Sequence, residues 1–193
     1  MCSATNVPLC ADHIRIGVVR PDIRQALPPA LPALIREATR ADRDEIASIL
    51  MRFWGKTDGM RTYGKSFDML QAPALVAVGD QNRLVGVAVW TTSGNRALLI
   101  ELSVLPACQS AGLGRLLIQR LAEVARDQGL TALALSTTND NLLALAFYQR
   151  LGFVIEGVKI GLVAREHEAA GEDNAGHMSI PARDEFRLVY NLR

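Results

Sequence analysis

Two features of this 193-residue chain carry chemistry by residue type and spacing. One is a glycine-bearing turn ahead of an amphipathic run, and the other is a carboxylate inside an apolar run. The turn is Gln109, Ser110, Ala111, Gly112, Leu113 and Gly114, between apolar Leu98–Leu105 and a helical pattern. Glycines there let the backbone approach a ligand closely. The free N–H groups of the helix start then face an anion, most naturally a pyrophosphate. Taken alone, the same glycines would equally serve a tight strand-to-helix turn that binds nothing. A mononucleotide P-loop would need Lys and then Ser or Thr after its last glycine, where this chain has Arg115 with no hydroxyl neighbour. A dinucleotide fingerprint needs three spaced glycines, and only two fit.

The carboxylate is Glu101. It stands among Leu98, Leu99, Ile100, Leu102, Val104 and Leu105, in what reads as a central strand covered on both faces. A lone carboxylate there is costly unless it is paired or used. Desolvation would raise its pKa towards the range of a working base. An arginine on a neighbouring element would make it a structural ion pair instead, and the sequence leaves both open. Asn139 and Asp140 read as helix caps. Cys108 lies in the glycine turn without a histidine beside it and reads as a small buried filler. His167 and His177, with Glu168 and Asp173, show no recognisable metal-ligand spacing.

The elements that must position these groups follow from periodicity and punctuation. Residues 1–32 read as an N-terminal extension ending in Pro28, Pro29 and Pro32, with Ile14–Arg20 either a short strand or without fixed structure. Residues 33–193 read as the domain. Ala33–Ala38 is a first strand, and Thr39 or Asp42 caps a helix over 42–54. Residues 55–72 are mixed, with a short helix expected near Ser66–Leu70. Ala74–Val78 and Leu84–Thr92 form a hairpin about the turn Gly79–Arg83. After the strand Leu98–Leu105 comes a helix over 112–128, stopped by Gly129. Then follow a strand Ala132–Thr137, a helix over 141–150 closed by Gly152, and a strand Phe153–Gly157. The last strand, 185–192, turns Phe186, Leu188, Tyr190 and Leu192 one way. Between the last two strands, Ala164–Arg183 reads as a polar connection. The fold class is α/β (α+β), a mixed central sheet of about seven strands flanked by helices.

Composition narrows the partners. At 49% hydrophobic the chain can bury a core, and its net charge of +1 lacks the basic footprint of a nucleic-acid binder. No apolar run reaches the roughly 18 residues of a membrane helix, and no secretory signal is visible. Three cysteines, Cys2, Cys10 and Cys108, predict a reducing, cytoplasmic setting.

The run from Val104 through Pro106 and Gln109 to Gly112 and Gly114 resembles a signature of the GCN5-related N-acetyltransferase (GNAT) superfamily. That signature is Val-x-Pro, two residues, then Gln/Arg-x-x-Gly-x-Gly/Ala. A second one, Asn-x-x-Ala-x-x-x-Tyr-x-x-x-Gly-Phe, is matched by Asn141, Ala144, Tyr148, Gly152 and Phe153. Ser110 departs from the glycine that many members carry. The resemblance covers residues 33–193 and implies an acyl-CoA-dependent N-acyltransferase with acetyl-CoA as cosubstrate and no metal. It implies that the backbone of Gln109, Ser110, Ala111, Gly112, Leu113 and Gly114 cradles the CoA pyrophosphate. The main chain of Leu102 and Val104 would hold the pantetheine arm as an added strand would. Pro106 would help splay the next strand away. Asn141 would hold a pantetheine amide and Tyr148 would meet the leaving thiolate. Seven residues apart, these two share nearly one helix face. Glu101 would be the base, directly or through a water. The acceptor would be a small-molecule or peptide amine, entering between 54–72 and 164–183, with Trp54, Arg61, Tyr63 and Lys65 at the mouth. A homodimer is compatible with the resemblance. The alternatives are a non-catalytic acyl-CoA-binding module on the same fold and a nucleotide-binding protein using the glycine turn.

Overall fold

Hydrophobic alternation in the middle of the chain builds a sheet, and the two strongest helical patterns cover its faces. The computed structural model describes residues 34–109 and 111–193. The calls on residues 1–32 and on Ser110 lie outside those residues. In chain order the elements are β1 (Leu34–Glu37), α1 (Arg43–Trp54), β2 (Met60–Thr62), β3 (Lys65–Phe67), β4 (Ala74–Val78), β5 (Leu84–Ser93) and β6 (Arg96–Val104). Then come α2 (Leu113–Asp127), β7 (Ala132–Thr138), α3 (Leu142–Arg150), β8 (Val154–Lys159), α4 (Leu162–Ala170) and β9 (Glu185–Asn191). Seven strands form one sheet in the order β1-β4-β5-β6-β7-β9-β8. Every neighbouring pair is antiparallel except β6 and β7, which run parallel across the α2 crossover.

The core has two layers. Leu117, Ile118 and Leu121 of α2, with Tyr148 of α3 and Leu151 just beyond it, pack on Leu99, Leu133, Leu135 and Leu188. On the other face, Ile46, Ile49 and Leu50 of α1 pack on Val76, Val87, Val89 and Ile100. The entry to α1 is fixed by Asp42, whose carboxylate accepts two hydrogen bonds of 2.8 Å from Arg36 and one of 2.6 Å from the Thr39 backbone. Those donors, the Arg36 guanidinium first, hold Asp42 well below the usual carboxylate range.

The β6–β7 seam is short. It pairs Arg96–Leu99 with Ala132–Leu135 and stops there. The cause lies in β6 itself. Trp90 of β5 opposes Leu99 while Val89 opposes Glu101, so Ile100 is an extra residue on β6. Such a bulge bends its strand and raises the local twist. Pro106, expected to splay the strands, comes after β6 has ended, in the 3-10 turn Pro106–Cys108. The separation begins at Ile100.

Two further expectations are corrected. No helix forms near Ser66–Leu70. Met60–Phe67 is instead a hairpin whose turn residues, Tyr63 (φ 53°) and Gly64 (φ 70°), are both left-handed. That is the geometry of a type I′ turn. The connection Ala164–Arg183 is not all loop, because α4 occupies its first part. Ala, Glu and Arg favour that helix, and Gly171 in left-handed conformation ends it. Among the described residues no helix is long and apolar enough to cross a membrane.

Candidate active site

The separation of β6 from β7 opens a cavity of about 520 Å³, lined on one side by Ile100, Glu101 and Leu102 and on the other by Ser136, Thr137 and Thr138. The bulge at Ile100 decides which way Glu101 points. Before it, Ala97 and Leu99 face α2; after it, Leu102 and Val104 do so. Glu101 is thereby turned to the α1 face, opposite Val89. A strand without the bulge would place Glu101 on the same face as Leu99.

Glu101 is 6% exposed. Its Oε1 accepts a hydrogen bond from Ser103 Oγ. The Trp54 side chain and the Leu102 backbone also donate to it. All three donors are neutral. The arginine that would have made Glu101 a structural ion pair is not among its partners in the described residues. Burial dominates and pushes its pKa above the ordinary carboxylate value. Trp54 reaches it because α1 ends at that residue, with Gly55 (φ 65°) as its left-handed stop.

Tyr148 enters the same cavity from α3. Its ring packs edge-on against Phe147 at 5.1 Å and Phe153 at 5.5 Å. Burial first, and the charge of Glu101 second, raise its pKa above that of an ordinary phenol. Asn141 lines the cavity one helix end away and is itself the cap of α3, its Oδ1 accepting from Ala144 N at 3.1 Å. The group it offers the cavity is therefore its Nδ2–H2. Asn139 and Asp140, expected as caps, instead clamp the chain before β9. Asn139 Oδ1 accepts from the backbone of Arg183 (2.7 Å) and Asp184 (2.9 Å), and Asp140 Oδ2 accepts from His177 N (2.7 Å).

Among the described residues, the edge of β6 facing β7 has no ladder partner beyond Leu99. Leu102 and Val104 lie on that stretch, and the Val104 carbonyl accepts from Gln109 Nε2 at 3.0 Å. The chain then passes through the Pro106–Cys108 turn into α2. Gly112 takes a left-handed φ of 82° to begin it. Gly114 is small for a different reason: a Cβ there would lie 3.2 Å from the Phe147 ring. The glycine turn thus serves helix packing as well as leaving the first N–H groups of α2 without helical partners, together with Ala111 and Leu113 beside it. Cys108 is half-buried.

A family model, the acetyltransferase (GNAT) family, matches residues 43–153, which span α1, the bulged β6, the glycine turn and Tyr148. The chain belongs to the GNAT family. It is an acetyltransferase of the class that uses an acyl-CoA donor. YxbD of Bacillus subtilis (strain 168), an uncharacterised protein, is 26% identical over 156 residues, covering 78% of this chain and 94% of its own length. The streptothricin acetyltransferase of Streptomyces lavendulae is 36% identical over 108 residues, 55% of this chain and 56% of that protein. A solved Bacillus subtilis acetyltransferase in complex with CoA has the same fold, with TM-score 0.67 at 20% identity over 83% of this chain and 99% of that one.

Two elements of this GNAT chain that the sequence did not reveal also line the cavity. The β2–β3 hairpin brings Met60, Arg61 and Thr62 to the cavity, while α4 brings Val163, Glu166, His167 and Ala170. An Arg61–Glu166 ion pair of 2.8 Å joins the hairpin to α4, and a Thr62–Ser136 hydroxyl contact of 2.5 Å joins it to β7. Of the residues expected at the mouth, Trp54 and Arg61 line it. Tyr63 turns away, its hydroxyl donating to Glu156 at 2.6 Å and its ring lying under Arg187 at 4.5 Å. Lys65 sits on β3, outside the cavity lining. His167 and His177 go separate ways: His167 lines the cavity, and His177 spends its backbone N–H on Asp140. No apolar periodicity marks α4, because two of the four residues it turns to the cavity, Glu166 and His167, are polar.

Proposed function

We propose that this GNAT protein transfers the acetyl group of acetyl-CoA to a primary amine of a small molecule, by direct attack with both substrates bound. One observation carries the proposal: Glu101 and Tyr148, from opposite faces of the sheet, meet in the single cavity that the β6–β7 separation opens. The β6 edge at Leu102 and Val104, outside the β6–β7 pairing, suits the amides of the pantetheine arm. The N–H groups from Gln109 to Gly114 suit the pyrophosphate, and Asn141 Nδ2 suits a pantetheine carbonyl. A volume of about 520 Å³, shut on the acceptor side by the hairpin and α4, favours a small molecule over a protein tail.

The chemistry follows from the two raised pKa values. The acceptor arrives as an ammonium, with a pKa near 10.4 for a lysine-like amine. Glu101 takes one proton, more readily for being desolvated. The freed nitrogen bonds to the thioester carbon, the C–S bond breaks, and the second proton of that nitrogen ends on the sulfur. A thiol has a pKa of about 8.5, well below that of Tyr148 as burial sets it. Tyr148 therefore keeps its proton and steadies the departing thiolate by a hydrogen bond.

Free-thiol release from acetyl-CoA, against polyamines, amino acids, aminoglycosides, a streptothricin and peptide N-termini, tests this. Tyr148→Phe is expected to lower kcat by about 100-fold, the lower end for losing one hydrogen-bond donor to a developing anion, with the acetyl-CoA KM little changed. Unaltered turnover removes Tyr148 from the reaction. Acetyl-CoA binding without thiol release from any amine would make the chain a non-catalytic module.

A further inference from the structure

The hydroxyl pair where β6 and β7 part holds one proton more than its partners can take. Thr62 Oγ1 and Ser136 Oγ are 2.5 Å apart, and either can donate to the other. Whichever does, the second hydroxyl keeps its own O–H. Among the described residues neither oxygen makes another hydrogen bond. Both residues line the cavity, but Thr62 is 3% exposed while Ser136 is only half-buried. An O–H left without an acceptor is costly where water cannot reach it. The arrangement of lower energy therefore has Thr62 donating to Ser136, with the spare O–H on Ser136. The carboxylates nearby are held elsewhere: Glu166 by Arg61 at 2.8 Å, and Glu185 by Arg187 Nε at 2.7 Å and Tyr63 N at 3.1 Å.

The fold sets that hydroxyl across from Glu101. Leu133 and Leu135 of β7 face α2 and α3, so by alternation Ser136 faces the α1 side, as Glu101 does. Leu99 and Leu135 are the last ladder pair, and Ile100 is the extra residue of β6. The next residues on the two strands are therefore Glu101 and Ser136, on one face of the sheet with the split between them.

We propose that the Ser136 hydroxyl, held in place by Thr62, reads an oxygen on the carbon next to the one that bears the acetylated nitrogen, so that the amine substrates carry a vicinal oxygen, as 1,2-amino alcohols do. This rests on the acyl-transfer function proposed above and names a substrate class for it. Strands lie about 4.8 Å apart where they pair, and the gap beyond the last pair is wider. A hydrogen bond of about 2.9 Å at each end, with two carbons between nitrogen and oxygen, bridges such a gap. The nitrogen then meets Glu101 on β6 and the oxygen meets Ser136 on β7. Ser136 sets specificity and takes no part in the proton transfers, which belong to Glu101.

Ethanolamine and propylamine match in heavy-atom count, differ at that oxygen, and are the probes. They differ in basicity as well, so the quantity to read is the change in their kcat/KM ratio between wild type and variant. Ser136→Ala is expected to lower the ratio of ethanolamine to propylamine by at least about tenfold, as losing a hydrogen bond built for a substrate hydroxyl does. The loss should lie in the ethanolamine KM, with the KM values of propylamine and acetyl-CoA unchanged. Ser136→Thr, which keeps the hydroxyl, should hold the wild-type ratio. Thr62→Val, which frees Ser136 to turn, should lower it in part. A ratio that survives Ser136→Ala overturns the subsite, and so does an equal fall for both amines, the mark of a merely structural role. A wild type that acetylates other amines and neither of these overturns it too. Absence of acetyl-CoA binding in calorimetry, or binding without turnover of any amine, would instead overturn the acyl-transfer function itself.

Discussion

On the proposed function, Glu101 couples stability to activity through one carboxyl group. Burial raises its pKa in the folded protein above the roughly 4.3 of the unfolded chain. Its contribution to stability is therefore fully present below that unfolded value and is lost as pH rises through the folded one. At neutral pH the charged form is a net cost. Glu101→Gln keeps a partner for Trp54 and Ser103 and removes the charge. It should raise the Tm at pH 7, at about 3 °C per kcal/mol for a domain this size, while abolishing the low-pH limb of kcat/KM. Calorimetry and a pH–rate profile check the two halves. A lower Tm would mean that the carboxylate is better solvated than its burial indicates. Asp42 behaves with the opposite sign. The Arg36 and Thr39 bonds depress its pKa, so its stabilisation is present above the unfolded value of about 3.9 and fades as pH falls. Asp42→Ala should cost about 2 kcal/mol in urea unfolding at pH 7, the usual worth of hydrogen bonds to a charged group, and flatten the acid limb of stability.

At the scale of elements, α4 is the part of the site most open to a clean perturbation. Gly171 holds a left-handed φ of 68° with open space where a Cβ would go. Gly171→Ala should therefore cost about 1 kcal/mol of backbone strain and loosen the end of α4, where Glu172 N–H bonds His167 O at 2.9 Å. The acceptor KM should rise while the acetyl-CoA KM stays put, as steady-state kinetics will show. A change confined to acetyl-CoA would contradict the place given to α4. The helices and strands between residues 74 and 153 were legible because long apolar runs and glycine stops leave little choice of period. The bulge at Ile100 was not, because an extra residue inside Leu98–Leu105 leaves no mark in a strand that is apolar on both faces. Nor was α4, whose nine residues carry too few apolar positions to stand out from a polar connection. Asn141 was misread in part. It caps α3, and the neighbours credited with that task, Asn139 and Asp140, hold the chain before β9. Glu101 and Tyr148 were expected together through the resemblance; that they reach one cavity from opposite faces was not legible, since opposite faces of a sheet meet only where the sheet parts.

For the whole molecule, acetyl-CoA should raise the Tm by linkage, and the rise should grow with its concentration. The short seam between β6 and β7 has a mechanical consequence as well. Four residues on each strand, Arg96–Leu99 and Ala132–Leu135, carry the pairing between a wing of β1, β4, β5 and β6 and a wing of β7, β9 and β8. The sheet is in effect two plates joined by a narrow hinge. Plates so joined flex at the hinge before either one unravels. Deuterium uptake should be fastest at the open edges, Ile100–Val104 and Ser136–Thr138, and slow along β4 and β5. On the proposed function, the pantetheine arm would fill the gap like a missing rung, so acetyl-CoA should slow uptake on both edges together. Uptake that slowed on one edge alone would mean that the wings do not close on the ligand. On the same reading, loss of CoA would need the hinge to open again, which would tie the pace of turnover to the stiffness of four pairs of residues.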